Sequence, residues 1–159
     1  MRISGFTLIE VLIVIAIFAL IILVAAPLSG YWVRDANRLE VEGQLTQAIG
    51  RAKAAALRNH MAATGESPVT TICLSPTNLL TIREGTAGVA PDCDPATGTQ
   101  LWQAQLSEHV AVQAGGAALS CLCFTNKGLL TGTSTCNTCA TTTSFTLNAG
   151  GEPTPLVLY

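Results

Sequence analysis

An uninterrupted apolar run near the N-terminus constrains the fold of this chain more than any other feature. From Val11 to Leu28 there is no charged residue, and 13 of these 18 side chains are Val, Leu, Ile or Phe. A helical run of roughly this length crosses most of a bilayer, for which about 20 apolar residues are needed. The sequence therefore predicts an N-terminal membrane-spanning helix.

A cleavable secretory signal is the alternative explanation of this run. Val24-Ala25-Ala26 loosely imitates its cut site, but such a signal has an apolar stretch of only about 7–15 residues. Glu10 lies at the entrance of the run, and Pro27 would follow the cut. Thirteen large apolar residues favour insertion by about 4–8 kcal/mol, more than the roughly 2.5–3.5 kcal/mol that one central carboxylate costs. A retained anchor is therefore the better prediction.

The residues before the run form a specific motif, Gly5-Phe6-Thr7-Leu8-Ile9-Glu10. This motif, followed at once by the apolar run, resembles the class III signal of type IV prepilins. In that family a prepilin peptidase cuts after the glycine and methylates the new N-terminal residue. The resemblance implies a leader of residues 1–5, cleavage between Gly5 and Phe6, and an N-methylated Phe6.

Glu10 has two possible roles. An acid at the edge of hydrocarbon is costly unless it is paired, and the free amine of Phe6 from a neighbouring subunit would neutralise it and fix the register between subunits. The family resemblance implies the same pairing. Alternatively, Thr7 and Glu10 fit the T-x-x-E pattern of a capping box at a helix N-terminus. The two roles are compatible.

Pro27 lies at the end of the apolar run. Proline removes a backbone donor and clashes with the preceding turn, so a kink or local melting of the helix is expected there. Pro27 then either packs in an assembly or simply marks the exit from the bilayer.

Residues 30–64 continue the helical pattern but become amphipathic, and Gly65 and Pro68 supply stop signals. Apolar residues recur at helical spacing, at Val41, Leu45, Ala48, Ile49, Ala52, Ala55 and Ala56. A helix from Phe6 to Met61 would be about 84 Å long at 1.5 Å per residue, which is more than so small a domain can cover. Lipid or other subunits must then cover its first half, residues 6–29.

The remaining residues, 65–159, are rich in threonine and glycine and form short alternating runs. The pattern predicts six strands, at Val69–Leu74, Leu79–Arg83, Val110–Gln113, Ala118–Phe124, Ser144–Leu147 and Leu156–Leu158. Short strands after one long helix predict an α+β fold, with an antiparallel sheet packed on the second half of the helix.

All six cysteines follow the apolar run, and the family orientation places them in an oxidising compartment, where an even number favours disulfides. Cys73 and Cys93, both beside predicted turns, are the first expected pair, followed by Cys121–Cys139 and Cys123–Cys136, although six cysteines allow about 15 pairings. A zinc site made of Cys121, Cys123, Cys136 and Cys139 is the alternative, but no metal or cofactor is expected.

Charge and composition argue against two other classes of protein. The chain carries a net charge of −2, and beyond Asn59 only two basic residues face six acidic ones, whereas nucleic-acid binding needs a concentrated basic face. Five bases of the helix (Arg34, Arg38, Arg51, Lys53 and Arg58) are interleaved with Asp35, Glu40 and Glu42. No spacing around His60, His109 or Ser120 suggests an acid, base and nucleophile that converge as an enzyme requires.

A fainter resemblance extends beyond the membrane segment. The helix from Asn37 to Asn59 and the segment Phe124-Thr125-Asn126-Lys127-Gly128 are similar to the FimT/GspH class of minor pilins and pseudopilins. This implies a minor pilin that primes or caps a type IV pilus, with other pilin subunits, the prepilin peptidase and an inner-membrane assembly platform as partners. It also implies an inner-membrane anchor and a periplasmic distal domain. A pseudopilin of a type II secretion system and a membrane-tethered binding module that does not polymerise are the alternatives.

Overall fold

The computed structural model of the chain describes residues 7–158, apart from the side chains of residues 26–29 and 134. One long helix, α1 (Leu8–Arg58), precedes a β-rich region. The nine strands are β1 (Pro68–Leu74), β2 (Leu79–Glu84), β3 (Thr99–Gln105), β4 (Ala111–Ala114), β5 (Ala117–Ala118), β6 (Cys121–Thr125), β7 (Leu130–Thr131), β8 (Ser144–Asn148) and β9 (Thr154–Val157). The chain divides into two compact units, one ending at Ala36 and the other beginning at Asn37.

The second half of α1 is amphipathic, as the sequence predicts. All seven residues of the predicted apolar stripe, from Val41 to Ala56, are buried. Small side chains at Ala48 and Ala52 let the helix backbone approach the sheet closely, and Thr70 in β1 donates a hydrogen bond of 3.1 Å from its Oγ1 to the carbonyl oxygen of Ala52. This half of the helix is therefore part of the core of the domain.

The helix ends at Arg58, three residues before the predicted end at Met61. Asn59 takes a left-handed backbone conformation with φ of 46°, which asparagine tolerates better than most residues and which commonly terminates a helix. Its side-chain amide then holds both backbone groups of Ala63, at 2.8 Å to the nitrogen and 3.0 Å to the oxygen. Local turn chemistry thus stops the helix.

The strands form two antiparallel sheets in place of the single sheet that the sequence predicts. The first has five strands in the order β3-β2-β1-β6-β7, and the second has four in the order β5-β4-β8-β9. Buried residues of both sheets, among them Ile72, Leu122 and Phe145, pack with the buried stripe of α1 in one hydrophobic cluster. The α+β fold is confirmed.

The predicted strand Ala118–Phe124 is divided, because the chain changes sheets within it. Ala117 and Ala118 pair with β4 in the second sheet, whereas Cys121 begins β6, which pairs with β1 in the first. The nitrogen of Leu119 still donates to Val112 of β4, and the oxygen of Ser120 already accepts from Leu74 of β1. Strands β3 and β7 are not among the predicted ones.

Candidate processing and assembly site

The described part of the predicted motif begins at Thr7, just before the first residue of α1. The backbone nitrogen of Glu10 lies 3.1 Å from the carbonyl oxygen of Thr7 and 3.4 Å from its Oγ1. This is one half of a capping box, and the hydroxyl contact is long for a hydrogen bond. Within residues 7–158 the Glu10 carboxylate accepts no hydrogen bond and forms no ion pair. Among the described residues the acid is therefore exposed and unpaired, and its carboxylate does not accept from a backbone N–H as in a complete capping box.

The part of α1 that belongs to the first compact unit exposes its apolar side chains on all sides of the helix. The large hydrophobic residues from Leu8 to Val24 are between 46% and 78% exposed. Over its most apolar 18 residues the helix has a mean hydropathy of 3.3, and none of that window is buried. By length and composition this helix is able to cross a membrane, and no other helix in the described residues meets the same criteria. Within the described residues, nothing covers this apolar surface.

Both predicted processing residues, Gly5 and Phe6, lie outside the described residues, as does the whole predicted leader, 1–5. Pro27 lies within the helical span of α1, but its side chain is not described, so its expected effect on the helix stays a prediction. Of the predicted assembly residues, the structure thus describes Thr7 and Glu10, adjacent on the first turn.

All six cysteines belong to the β-rich unit and all are in disulfides. The pairs are Cys73–Cys93, Cys121–Cys139 and Cys123–Cys136, with Cα–Cα distances of 5.6, 4.7 and 6.1 Å. These distances fall in the usual range of about 4.4–6.8 Å. The pairs are the ones placed first on the basis of the sequence.

Two of the disulfides lie side by side. The Sγ atoms of Cys123, Cys136 and Cys139 are all within 4.8 Å of one another, and Thr71 places its Oγ1 3.0 Å from the Sγ of Cys123. Three thiolates at this spacing would suit a metal ion. Here each of these sulfur atoms is bonded to another sulfur, which removes the thiolate that a zinc site needs.

His60, His109 and Ser120 are all exposed. Among the described residues, no hydrogen bond joins either imidazole to an acid or to a serine hydroxyl. Ser120 lies in the connection where the chain changes sheets, and its Oγ faces the Sγ of Cys121 at 3.8 Å. The structure does not gather these residues around a common point by hydrogen bonding.

Comparison with known families agrees with the motif. Residues 1–26 match the model of the prokaryotic N-terminal methylation motif. Neither a curated protein nor a solved structure matches this chain. The motif implies processing by a prepilin peptidase, assembly with other pilin subunits and a structural role. The matched residues include the start of the apolar helix α1, and a β-rich unit with three disulfides follows. The match over residues 1–26 and the apolar helix support a type IV pilin-like protein.

Proposed function

We propose that this chain is a minor pilin, a structural subunit rather than an enzyme, which primes or caps a type IV pilus. Before assembly it is held in the inner membrane by residues 6–29, with the amphipathic segment 30–64 and the distal domain 65–159 in the periplasm. The observation that carries the proposal is the uncovered apolar surface of the first half of α1. That surface has two possible environments, lipid before assembly and the helices of other subunits afterwards.

Glu10 supplies the chemistry of assembly in this proposal. Its carboxylate has no partner in the described part of its own chain, and at the border of hydrocarbon an unpaired acid is unfavourable. Cleavage after Gly5 would create an N-methylated amine on Phe6, which a neighbouring subunit can bring to Glu10. Pairing then neutralises two costly charges and fixes the axial register between subunits.

The three disulfides support a periplasmic location for the distal domain. Disulfides form and persist in oxidising compartments, including the bacterial periplasm, and are rare in the cytosol. The described cysteines all lie beyond residue 72, on the far side of the membrane segment from the motif. An orientation with the β-rich unit in the periplasm satisfies all three bonds.

The FimT/GspH class is proposed for the second half of the chain. In that class a long helix precedes a β-rich domain, and here the helix from Asn37 onward packs its buried stripe against the sheets. A pseudopilin of a type II secretion system would have the same anchor and the same processing. Deletion of the gene separates these two functions, because loss of surface filaments supports the pilus, whereas loss of protein secretion with intact filaments supports the alternative.

The test of the assembly mechanism is Glu10→Gln in the full chain. Glutamine keeps the size of the side chain and removes its charge, so insertion into the membrane continues while the pair with Phe6 is lost. Removing one partner of a buried ion pair costs roughly 3–5 kcal/mol, so we expect recovery in sheared filaments to fall at least about tenfold, and Glu10→Val to behave alike.

The matched control is Glu40→Gln, which removes an exposed acid from the same helix and should leave recovery unchanged. Recovery of Glu10→Gln in sheared filaments at the level of the parent chain would refute the mechanism. A mature chain that starts at Pro27 would instead show a cleaved secretory signal and end the whole proposal.

A further inference from the structure

The outer edge of strand β3 differs from the other sheet edges of the protein. Among the described strands, four lie at the edges of the two sheets: β3, β7, β5 and β9. Strands β5 and β7 have two residues each, and β9 carries Pro155. Short length and proline both prevent another chain from pairing with an edge. Strand β3 has seven residues, Thr-Gln-Leu-Trp-Gln-Ala-Gln, without proline or charge, and all are exposed or half-buried.

A β-bulge in β3 shapes the surface beside this edge. Ile82 pairs with Trp102 and Arg83 pairs with Gln100, so Leu101 is the extra residue. Bulges redirect side chains and are frequent beside functional sites. Here Leu101 and Trp102, although consecutive, both line one cleft between β3 and α1. The stretch from Trp102 to Gln105 keeps a regular register with β2 and can pair along its other side.

The cleft is basic. It has a volume of about 340 Å³, and two arginines of α1, Arg51 and Arg58, line it together with Ala54, Ala55 and Ile82. The guanidinium carbon of Arg51 stacks over the Trp102 ring at 5.2 Å from its centroid, which holds the charge beside the strand. Within residues 7–158, neither arginine forms an ion pair. Glu84, the acid of β2, lies opposite Thr99 at the end of the strand pair.

We propose that the outer edge of β3 and the Arg51–Arg58 cleft form one docking site for an extended, acidic segment of a co-assembling subunit. The segment adds a strand to the five-stranded sheet, and carboxylates on its helix-facing side enter the cleft. Backbone hydrogen bonds provide the affinity of such a strand addition, and the side-chain cleft provides its specificity. The choice of a subunit as the source of the segment rests on the proposed function.

Charge favours this occupant over a second copy of β3. In an antiparallel pair centred on Trp102 the two Trp102 side chains would be directly opposite, at about 5 Å between their Cβ atoms. Each brings its stacked Arg51, so two unpaired cations would meet at the centre of the contact. An acidic strand removes this repulsion and pairs with the arginines instead.

The test uses the purified full chain in detergent micelles and a defined probe, so it does not depend on filament assembly. The probe is a blocked, fluorescently labelled peptide, Thr-Glu-Val-Glu-Val-Glu-Thr, whose acids all lie on one face of a strand. A peptide with lysine in place of each glutamate tests charge, and one with a central proline tests strand pairing. Fluorescence anisotropy measures the affinity of each, and in a Trp32→Phe background the fluorescence of Trp102 reports binding at the cleft.

We expect the acidic peptide to bind at least about tenfold more tightly than the lysine peptide, since two exposed ion pairs contribute on the order of a factor of ten. The double variant Arg51→Gln/Arg58→Gln should abolish this difference, and the central proline should abolish binding. Lys53 lines a separate apolar cleft on the same helix. Lys53→Gln should therefore change neither the preference for the acidic peptide nor the effect of the central proline.

Equal affinity for the two charged peptides, undiminished binding of the proline peptide, or no binding at millimolar peptide would each overturn the proposal. A dimer of the chain in sedimentation experiments would also overturn the proposal if the edge substitution Gln103→Lys dissociated that dimer, since a second copy would then occupy the edge. The filament assay of Glu10→Gln and the peptide-binding assay are independent. A negative peptide result would therefore not contradict the proposed function, and a negative filament result would not affect the interpretation of peptide binding.

Discussion

Loss of the Cys73–Cys93 disulfide should destabilise the β-rich unit by an amount that follows from the chain it closes. The two cysteines are 20 residues apart, and the loop between them contains β2 and the first part of the connection to β3. The chain-entropy relation for a loop of this length gives about 3 kcal/mol of stabilisation at 25 °C. The buried sulfur of Cys73 adds up to about 1 kcal/mol when it is removed.

The variant is the double substitution Cys73→Ala/Cys93→Ala. Cys73 lies directly opposite Cys121 in the β1–β6 pair, so a single free thiol there would stand beside the Cys121–Cys139 bond and could exchange with it. Removing both cysteines avoids this exchange and leaves the other two disulfides in place.

The assay is urea unfolding of the full chain in nonionic detergent, followed by the fluorescence of Trp102 in a Trp32→Phe background. For a urea dependence of about 1.5 kcal/mol per molar, a loss of 3 kcal/mol lowers the midpoint by about 2 M. Thr138→Ala, at an exposed position in the same unit, is the control and should change the free energy of unfolding by less than about 0.5 kcal/mol. A loss below about 1 kcal/mol in the double variant, no more than the sulfur alone explains, would refute the reasoning.

Three further outcomes are expected. Gly98→Ala should be clearly more destabilising than Gly88→Ala in the same urea assay. Both residues have positive φ, but an added Cβ at residue 98 would lie 2.3 Å from the carbonyl oxygen of Glu84, whereas nothing lies within 4 Å of one at residue 88. Equal losses of stability in the two variants would contradict this. Phe124→Ala should cost about 3–5 kcal/mol, because Phe124 is 1% exposed in the shared core, and a loss below 1 kcal/mol would contradict its place there. Gly5→Leu should block maturation, which intact-mass measurement detects as retention of residues 1–5; a mature mass in this variant would argue against cleavage after Gly5.

Sequence patterns predicted the elements whose periodicity is strong. The buried stripe of α1 follows a period of 3.6 residues without a break, so its seven members could be named in advance. Strand β1, Pro68–Leu74, is buried almost throughout and differs from its prediction by one residue. The expected cysteine pairs also limited the possible folds of residues 73–139, because each disulfide brings two turns together and leaves few arrangements for the chain between its two cysteines.

Other elements could not be predicted, because long-range pairing determines them. Strand β3 mixes glutamine with leucine, tryptophan and alanine without a regular alternation, and none of its residues is fully buried, so a period of two does not reveal it. The division between β5 and β6 depends on which neighbouring strand accepts each backbone group, β4 or β1. The Arg51–Trp102 contact joins residues 51 positions apart, and only the fold brings them together.

The N-terminal motif and the β-rich unit must contribute different kinds of information to assembly. In the proposed assembly a pair between Phe6 and Glu10 would fix the register between subunits, but it would not distinguish subunits that present the same amine and the same acid. A minor pilin that occupies a defined position needs a contact that does distinguish them. In the unit that begins at Asn37, the β3 edge offers an open backbone, and the two arginines of its cleft, which form no ion pair within residues 7–158, would add a charge preference. We therefore propose that this unit selects the neighbour and that the helix before it serves general assembly.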